Sequence, residues 1–379
     1  MTLLRGRDVF SGEAVELVVE RDEIVEIRPL AASAASLPWV GPGLIDLQVN
    51  GHAEGDANAA QPDASQISAV SRSLSARGVT RFLPTIITAS EADIISRIRA
   101  VVDACADPAV ARSVAGIHIE GPSLSEQDGP RGVHPLAHIR PPRIDELQRW
   151  LDAASGLLRV VTLSPHHDGA VEATRFLVAN GVQVSIGHTH ADEGQIRAVV
   201  DAGATLSTHL GNGAHGVLPR HPNYIWSQLA EPRLRAGVIA DGHHLPDSTL
   251  ATMLAAKRDH GIFLVSDAVA TPAALRHGGE STVGGGVELA SDGALRHVAT
   301  GYLAGSVQTL DVGVATVARI TDSLATAYAL ATHAPATALG LPALWQPGAR
   351  ADVVQFEWTP GDTEIQPVRV LIAGEPATV

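Results

Sequence analysis

Apolar positions along this chain gather into short runs, and each run closes on or just passes a polar residue. In order they are LIDLQVN ending at Asn50, RFLPTIIT passing Thr85, AGIHIE ending at Glu120 and LRVVTLSPHH reaching His166. Then come VQVSIGH ending at His188, ATLSTHL passing His209, RAGVIAD ending at Asp241 and IFLVSDA passing Asp267. Short apolar runs bounded by turn residues read as buried strands. Between most of them the pattern shifts to a helical period, in ASQISAVSRSLSARG, ADIISRIRAVVDACA, RIDELQRWLDAA, AVEATRFLVANG and EGQIRAVVDAG. Several of these close on Gly, as helix C-termini prefer. Strand-then-helix units repeated in this way predict a (β/α)8 TIM barrel, an α/β fold, over residues 43–343. Catalytic groups in such barrels stand at the C-terminal ends of the strands.

The two ends of the chain follow a different pattern. LLRGRDVF, AVELVVERD and EIVEIRPL at the start, and ADVVQFEW and PVRVLIAGEPATV at the finish, are short β-type runs separated by turn residues. They predict a small β-sandwich module built from residues 1–42 and 344–379, discontinuous in sequence. The Gly-rich stretch 276–300 reads as a hairpin insertion after the eighth strand. Ala-rich helices are expected in LDVGVATVARI and SLATAYALATHAPATALG.

Composition narrows the function. A net charge of −14 argues against a nucleic-acid binder, which needs a basic face. It also leaves an anionic substrate dependent on a few local Arg or His residues. A hydrophobic content of 45% supports a large core. The single cysteine, Cys105, rules out an internal disulfide and fits a reducing compartment. With no signal-type or membrane-length apolar segment, a cytoplasmic protein is expected. The single lysine, Lys257, lies in a helical run, so neither a Schiff base nor a carbamylated-lysine metal bridge is expected.

The strand ends carry the candidate chemistry. His118 and Glu120 alternate onto one face of the third strand, with Glu120 at its end. His188 and His209 stand at the ends of the fifth and sixth. Each of these residues alone has an ordinary structural reading, as a solvated carboxylate or a hydrogen-bonded histidine. Together they form a His₂Glu set for one divalent ion, with a position left open for water. Asp267, at the eighth strand end, faces the same mouth and suits proton transfer, although an Asp there also suits a helix N-cap. His134, Arg220, His243 and His244 gather at these ends, and Asn212 and Gly213 offer backbone N–H groups to an anion. His52, His166, His167, His190 and His215 receive no role.

PGLIDLQVNG, GIHIEGPSLS, GHTHAD, STHLGN, VIADGHH, LVSDAVA, GYLAGSVQTL and GARADVVQF recur in this order over nearly the whole chain. In that order they resemble the N-acetylglucosamine-6-phosphate deacetylases of the amidohydrolase superfamily. The resemblance implies Glu120, His188 and His209 as metal ligands and Asp267 as the residue that activates water and protonates the departing amine. It implies that His134 polarises the substrate carbonyl, and that Asn212, Arg220 and His244 hold the sugar phosphate. In that family the arginine reaches across a dimer interface, so a homodimer is implied. Gln48 and Asn50 stand where many amidohydrolases have an HxH pair. Amides are poor ligands for zinc or iron, so a single metal is expected, zinc or alternatively iron, although His52 or His190 offers a route to a second site. GNGAHG, SPHHD and GVLPRHPN depart from the family pattern.

The expected activity is hydrolysis of N-acetylglucosamine-6-phosphate to glucosamine-6-phosphate and acetate. Rival readings are an amidohydrolase acting on another N-acyl amino sugar or a cyclic amide, and a non-catalytic sugar-phosphate sensor.

Overall fold

The computed structural model describes residues 1–257, 261–271, 280–281 and 285–377. The barrel strands are β1 (Leu44–Val49), β2 (Val79–Ile87), β3 (Ile117–Glu120), β4 (Leu158–Leu163), β5 (Gln183–Ile186), β6 (Leu206–Ser207), β7 (Arg235–Ile239) and β8 (Ile262–Val265). They form one sheet in chain order, with every pairing parallel. The ring closes where β8 returns to β1: Asp267 N donates to Gln48 O at 3.0 Å and Asn50 N to Ala268 O at 2.8 Å. This is the expected (β/α)8 barrel.

Each expected helical segment is helical, and side-chain caps set the start of several. Asp63, Ser90 and Asp192 cap the helices Ala64–Ser75, Glu91–Ala104 and Glu193–Asp201, the last with a capping box to Gln195. Such caps contribute about 1 kcal/mol each. Two outer segments differ in detail from the sequence reading. SLATAYALATHAPATALG is not one helix but two, Leu324–Leu330 and His333–Ala338. Thr332 Oγ1 takes the Tyr328 carbonyl at 2.7 Å, and Pro335 has no N–H with which to continue the first helix. The stretch 276–300 contains short strands Glu280–Ser281, Gly285–Leu289 and Leu295–His297 paired antiparallel, while 276–279 and 282–284 lie outside the described residues.

Both chain ends join one seven-stranded sheet. Trp39–Pro42 is its junction, parallel to Thr2–Asp8 and antiparallel to Val353–Glu357. Leu17, Ile24, Val40, Ala351 and Val353 form its own small core. The sheet is bolted to the barrel by a buried ion pair, Arg81 Nε to Asp352 Oδ2 at 2.6 Å. Tyr328 adds a second tie: its ring stacks on Phe356 and its hydroxyl donates to Pro42 O at 2.9 Å.

Inside the barrel, below the strand ends, lies a polar layer. His118 Nε2 meets Thr162 Oγ1 at 2.7 Å, and Thr162 meets Thr208, which meets Ser185, each at 2.6 Å. Burial pushes the His118 imidazole down to about 4, so it is neutral and structural. Lys257 ends its helix, donating to the carbonyls of Glu231 and Leu234. Among the described residues no helix is long and apolar enough to cross a membrane.

Candidate active site

The strand ends bend sharply at three of the residues singled out in the sequence. His188, His209 and Asp267 all have left-handed backbones, with φ of 47°, 27° and 52°. Side chains other than Gly avoid this region, and holding one there costs about 1–3 kcal/mol. Backbone bonds over-determine each turn: Ser125 N donates to His188 O at 2.8 Å, and Asn212 N and Ser306 N donate to His209 O and Asp267 O, each at 3.0 Å. Residues 268–271, where a helix capped by Asp267 would begin, are not helical, so the N-cap reading is set aside. The turns redirect these side chains into the barrel mouth.

There Glu120 Oε1 lies 3.0 Å from His209 Nε2 and 3.3 Å from His188 Nε2, and the two nitrogens are 3.0 Å apart. Metal bonds of about 2.0–2.1 Å at tetrahedral angles imply ligand separations of roughly 3.3–3.4 Å, so the triangle fits such an ion. His188 Nδ1 donates to Pro130 O at 2.7 Å, which leaves the Nε2 lone pair pointing inward. Burial alone would raise the Glu120 carboxyl, but the two histidines hold it well below its usual range, so it is an anion. The donor set fits a divalent cation.

His134 completes the cluster. Its Nε2 is 3.3 Å from His188 Nε2 and 4.0 Å from Glu120 Oε2, and its Nδ1 is 3.0 Å from Thr88 Oγ1. Glu120, His134 and His188 therefore form a second possible ligand trio. The trio with His209 is the tighter one, which leaves His134 facing the cavity beside it. Burial and the charge of His188 push the His134 imidazole down to about 3.

The amides of β1 are not idle. Gln48 Nε2 donates to Glu120 Oε1 at 3.0 Å, and Asn50 Nδ2 donates to Asp267 Oδ1 at 2.7 Å. They orient two carboxylates, a role the sequence reading did not assign although their strand alternation places both on one face. Burial, helped by the charge of Glu120, pushes the Asp267 carboxyl up to about 6. A carboxyl in that range exchanges protons near neutrality.

A cavity of about 200 Å³ opens over this group, lined also by Asn212, Gly213, His244 and Tyr302. Gly213 has φ of 55°, and a Cβ there would come within 2.6 Å of His188 Nδ1, so only Gly fits. His244 Nδ1 is fixed by Asp241 Oδ2 at 2.8 Å, and Ser306 Oγ donates to the same oxygen at 2.9 Å. Despite burial, His244 holds the Asp241 carboxyl well below its usual range. Asp241 and Ser306 went unassigned in the sequence, though Asp241 closes the seventh run just as Glu120 closes the third. Arg220 is exposed and does not line this chain's cavity; nor do His52 and His190.

The amidohydrolase family pattern matches residues 39–376. The chain belongs to the amidohydrolase family. N-acetylgalactosamine-6-phosphate deacetylase of Escherichia coli O157:H7 is 31% identical over 337 residues, spanning 88% of this chain and 87% of that one. N-acetylglucosamine-6-phosphate deacetylase of Bos taurus is 36% identical, over 80% and 75% of the two chains. The crystal structure of N-acetyl-D-glucosamine-6-phosphate deacetylase from Mycobacterium smegmatis superposes along the whole of both chains, with a TM-score of 0.87 and 29% identity. The ordered motifs thus resemble the family to which the chain belongs.

Proposed function

We propose that this amidohydrolase removes the acetyl group from an N-acetylated hexosamine 6-phosphate, giving the free amine and acetate. N-acetylglucosamine-6-phosphate is the first candidate. The Escherichia coli relative, which spans most of the chain, supports the galactosamine epimer as a second. The observation that carries the reading is the Glu120–His188–His209 triangle beside a protonatable Asp267.

Glu120, His188 and His209 would hold one divalent ion, zinc or alternatively iron, both of which the mixed N/O donor set accepts. When bound, such an ion lowers the pKa of a coordinated water and polarises an amide carbonyl. Asp267 takes a proton from the attacking water and delivers it to the amine nitrogen as the C–N bond breaks. Asn50 aims Asp267 for both transfers. His134 is neutral; Thr88 Oγ1, which donates to Glu120 O and meets Nδ1 at 3.0 Å, fixes the ring so that its Nε2 edge stands beside the substrate carbonyl. His244, held by Asp241, and the backbone of Asn212 and Gly213 face the sugar phosphate across the cavity.

Arg220 is exposed, in the same loop as Val217, which is 89% exposed, and this suits a role in a partner's cavity within a homodimer. Half-buried Cys105, unpaired, suits a cytoplasmic setting. The test is acetate release from the two 6-phosphates and their unphosphorylated sugars by wild type and Asp267→Asn. Turnover of a phosphate form that falls by about 10²–10⁴ in the variant, with metal retained, is expected. Near-normal rates in the variant would sink the assignment of Asp267.

A further inference from the structure

A second cluster of metal-type ligands lies outside this cavity. Glu126 sits on the loop after β3, His166 just beyond β4 and His190 just beyond β5. One ligand atom from each lies within 4.8 Å of the others, and His166 Nε2 is 3.2 Å from Glu126 Oε2. The His166 and His190 rings lie close together, centroids 4.0 Å apart and planes tilted by 38°.

Both rings are oriented by hydroxyls. Ser164 Oγ donates to Thr189 Oγ1 at 2.7 Å, so it can only accept from His166 Nδ1 at 2.6 Å. The His166 Nε2 lone pair therefore faces Glu126. His190 Nδ1 meets Ser125 Oγ at 2.6 Å, and that oxygen also accepts from Gln127 N at 3.1 Å. Ser125 Oγ thus fixes the orientation of the His190 ring. Fixing one imidazole nitrogen through a neighbour is how proteins prepare the other for a metal.

We propose that Glu126, His166 and His190 form a second, peripheral site for a divalent transition-metal ion, zinc or a similar borderline ion. Its position gives it a task. The loop bearing Glu126 also carries Pro130, whose carbonyl orients His188, and His134, which faces the cavity. A metal joining Glu126 to the ends of β4 and β5 pins that loop over the active site. His134 and His188 are then held by two anchors, one from inside the barrel and one from its rim.

The test is metal content of the full chain after zinc saturation and desalting. About two equivalents per chain are expected, falling to about one in Glu126→Gln and in His166→Gln. Glu126 is half exposed, so its substitution leaves the fold intact. His209→Gln is run alongside. Wild-type content in both rim variants, with one ion lost in His209→Gln, overturns the rim site and leaves the proposed function standing. One ion lost in the rim variants, with none lost in His209→Gln, supports the rim site and overturns the catalytic ligand set. Amide hydrogen exchange of residues 121–134 should slow with zinc in wild type; equal slowing in Glu126→Gln overturns the pinning of the loop.

Discussion

Asn50 donates its side-chain amide to Asp267 Oδ1 across 2.7 Å, at the seam where the first and last barrel strands meet. The bond favours the ionised carboxylate, opposing the burial that drives Asp267 up to about 6. A general base must be ionised, so turnover should rise with pH through an acid limb set by Asp267. A bound dication favours the anion further, so the limb should fall at or below about 6. Replacing Asn50 by Ala removes a stabiliser of the anion and should move the limb upward. A pH profile of kcat/KM on both proteins checks this; an unmoved limb would remove Asn50 from the role.

Gly213 tests how tightly the ligand set is built. With φ of 55° and a Cβ that would press on His188 Nδ1 at 2.6 Å, Gly213→Ala must displace the ring or the loop. Disturbing the support of a ligand lowers metal affinity about 10–100-fold. Competition with a chelator measures this, and unchanged affinity would show that the loop yields instead.

His244 should act on the phosphate rather than on the chemistry. Asp241 and Ser306 hold it at the cavity wall. His244→Ala should raise KM for phosphorylated substrates about tenfold or more, with a smaller effect on kcat, since a hydrogen bond to a charged group contributes about 1.5–3 kcal/mol. Asp241→Asn should repeat the effect in weaker form. Equal losses on phosphorylated and unphosphorylated sugars would place His244 in another role.

Arg81 and Asp352 join the barrel to the sheet of chain ends and are both buried. Asp352 keeps Arg350 Nε at 3.3 Å and Ala373 N at 2.9 Å, so Arg81→Ala should cost about 1.5–3 kcal/mol, the loss of one charged hydrogen bond. Denaturant unfolding measures it. A loss under about 1 kcal/mol would mean that water reaches Asp352 in the variant.

Much of this protein is local and was legible in the chain. The barrel strands show as apolar runs because strands buried on both faces need no alternation. Their helices show because each must keep an apolar stripe toward the barrel, and Asp63, Ser90 and Asp192 mark their starts. Glu120, His188, His209 and Asp267 stood out because a polar residue ending an apolar run is costly to bury without a purpose. Tertiary structure alone decided what those residues meet. Closure of the ring, not spacing, brings Asn50 against Asp267, 217 positions away. The same closure turns Gln48 and Asn50 from missing ligands into hydrogen-bond donors. Only the fold shows that Arg220 leaves its own cavity, or that Glu126, His166 and His190 meet at the rim. Side-chain partners across a barrel are fixed by which strands become neighbours, and no local period in the sequence encodes that distance.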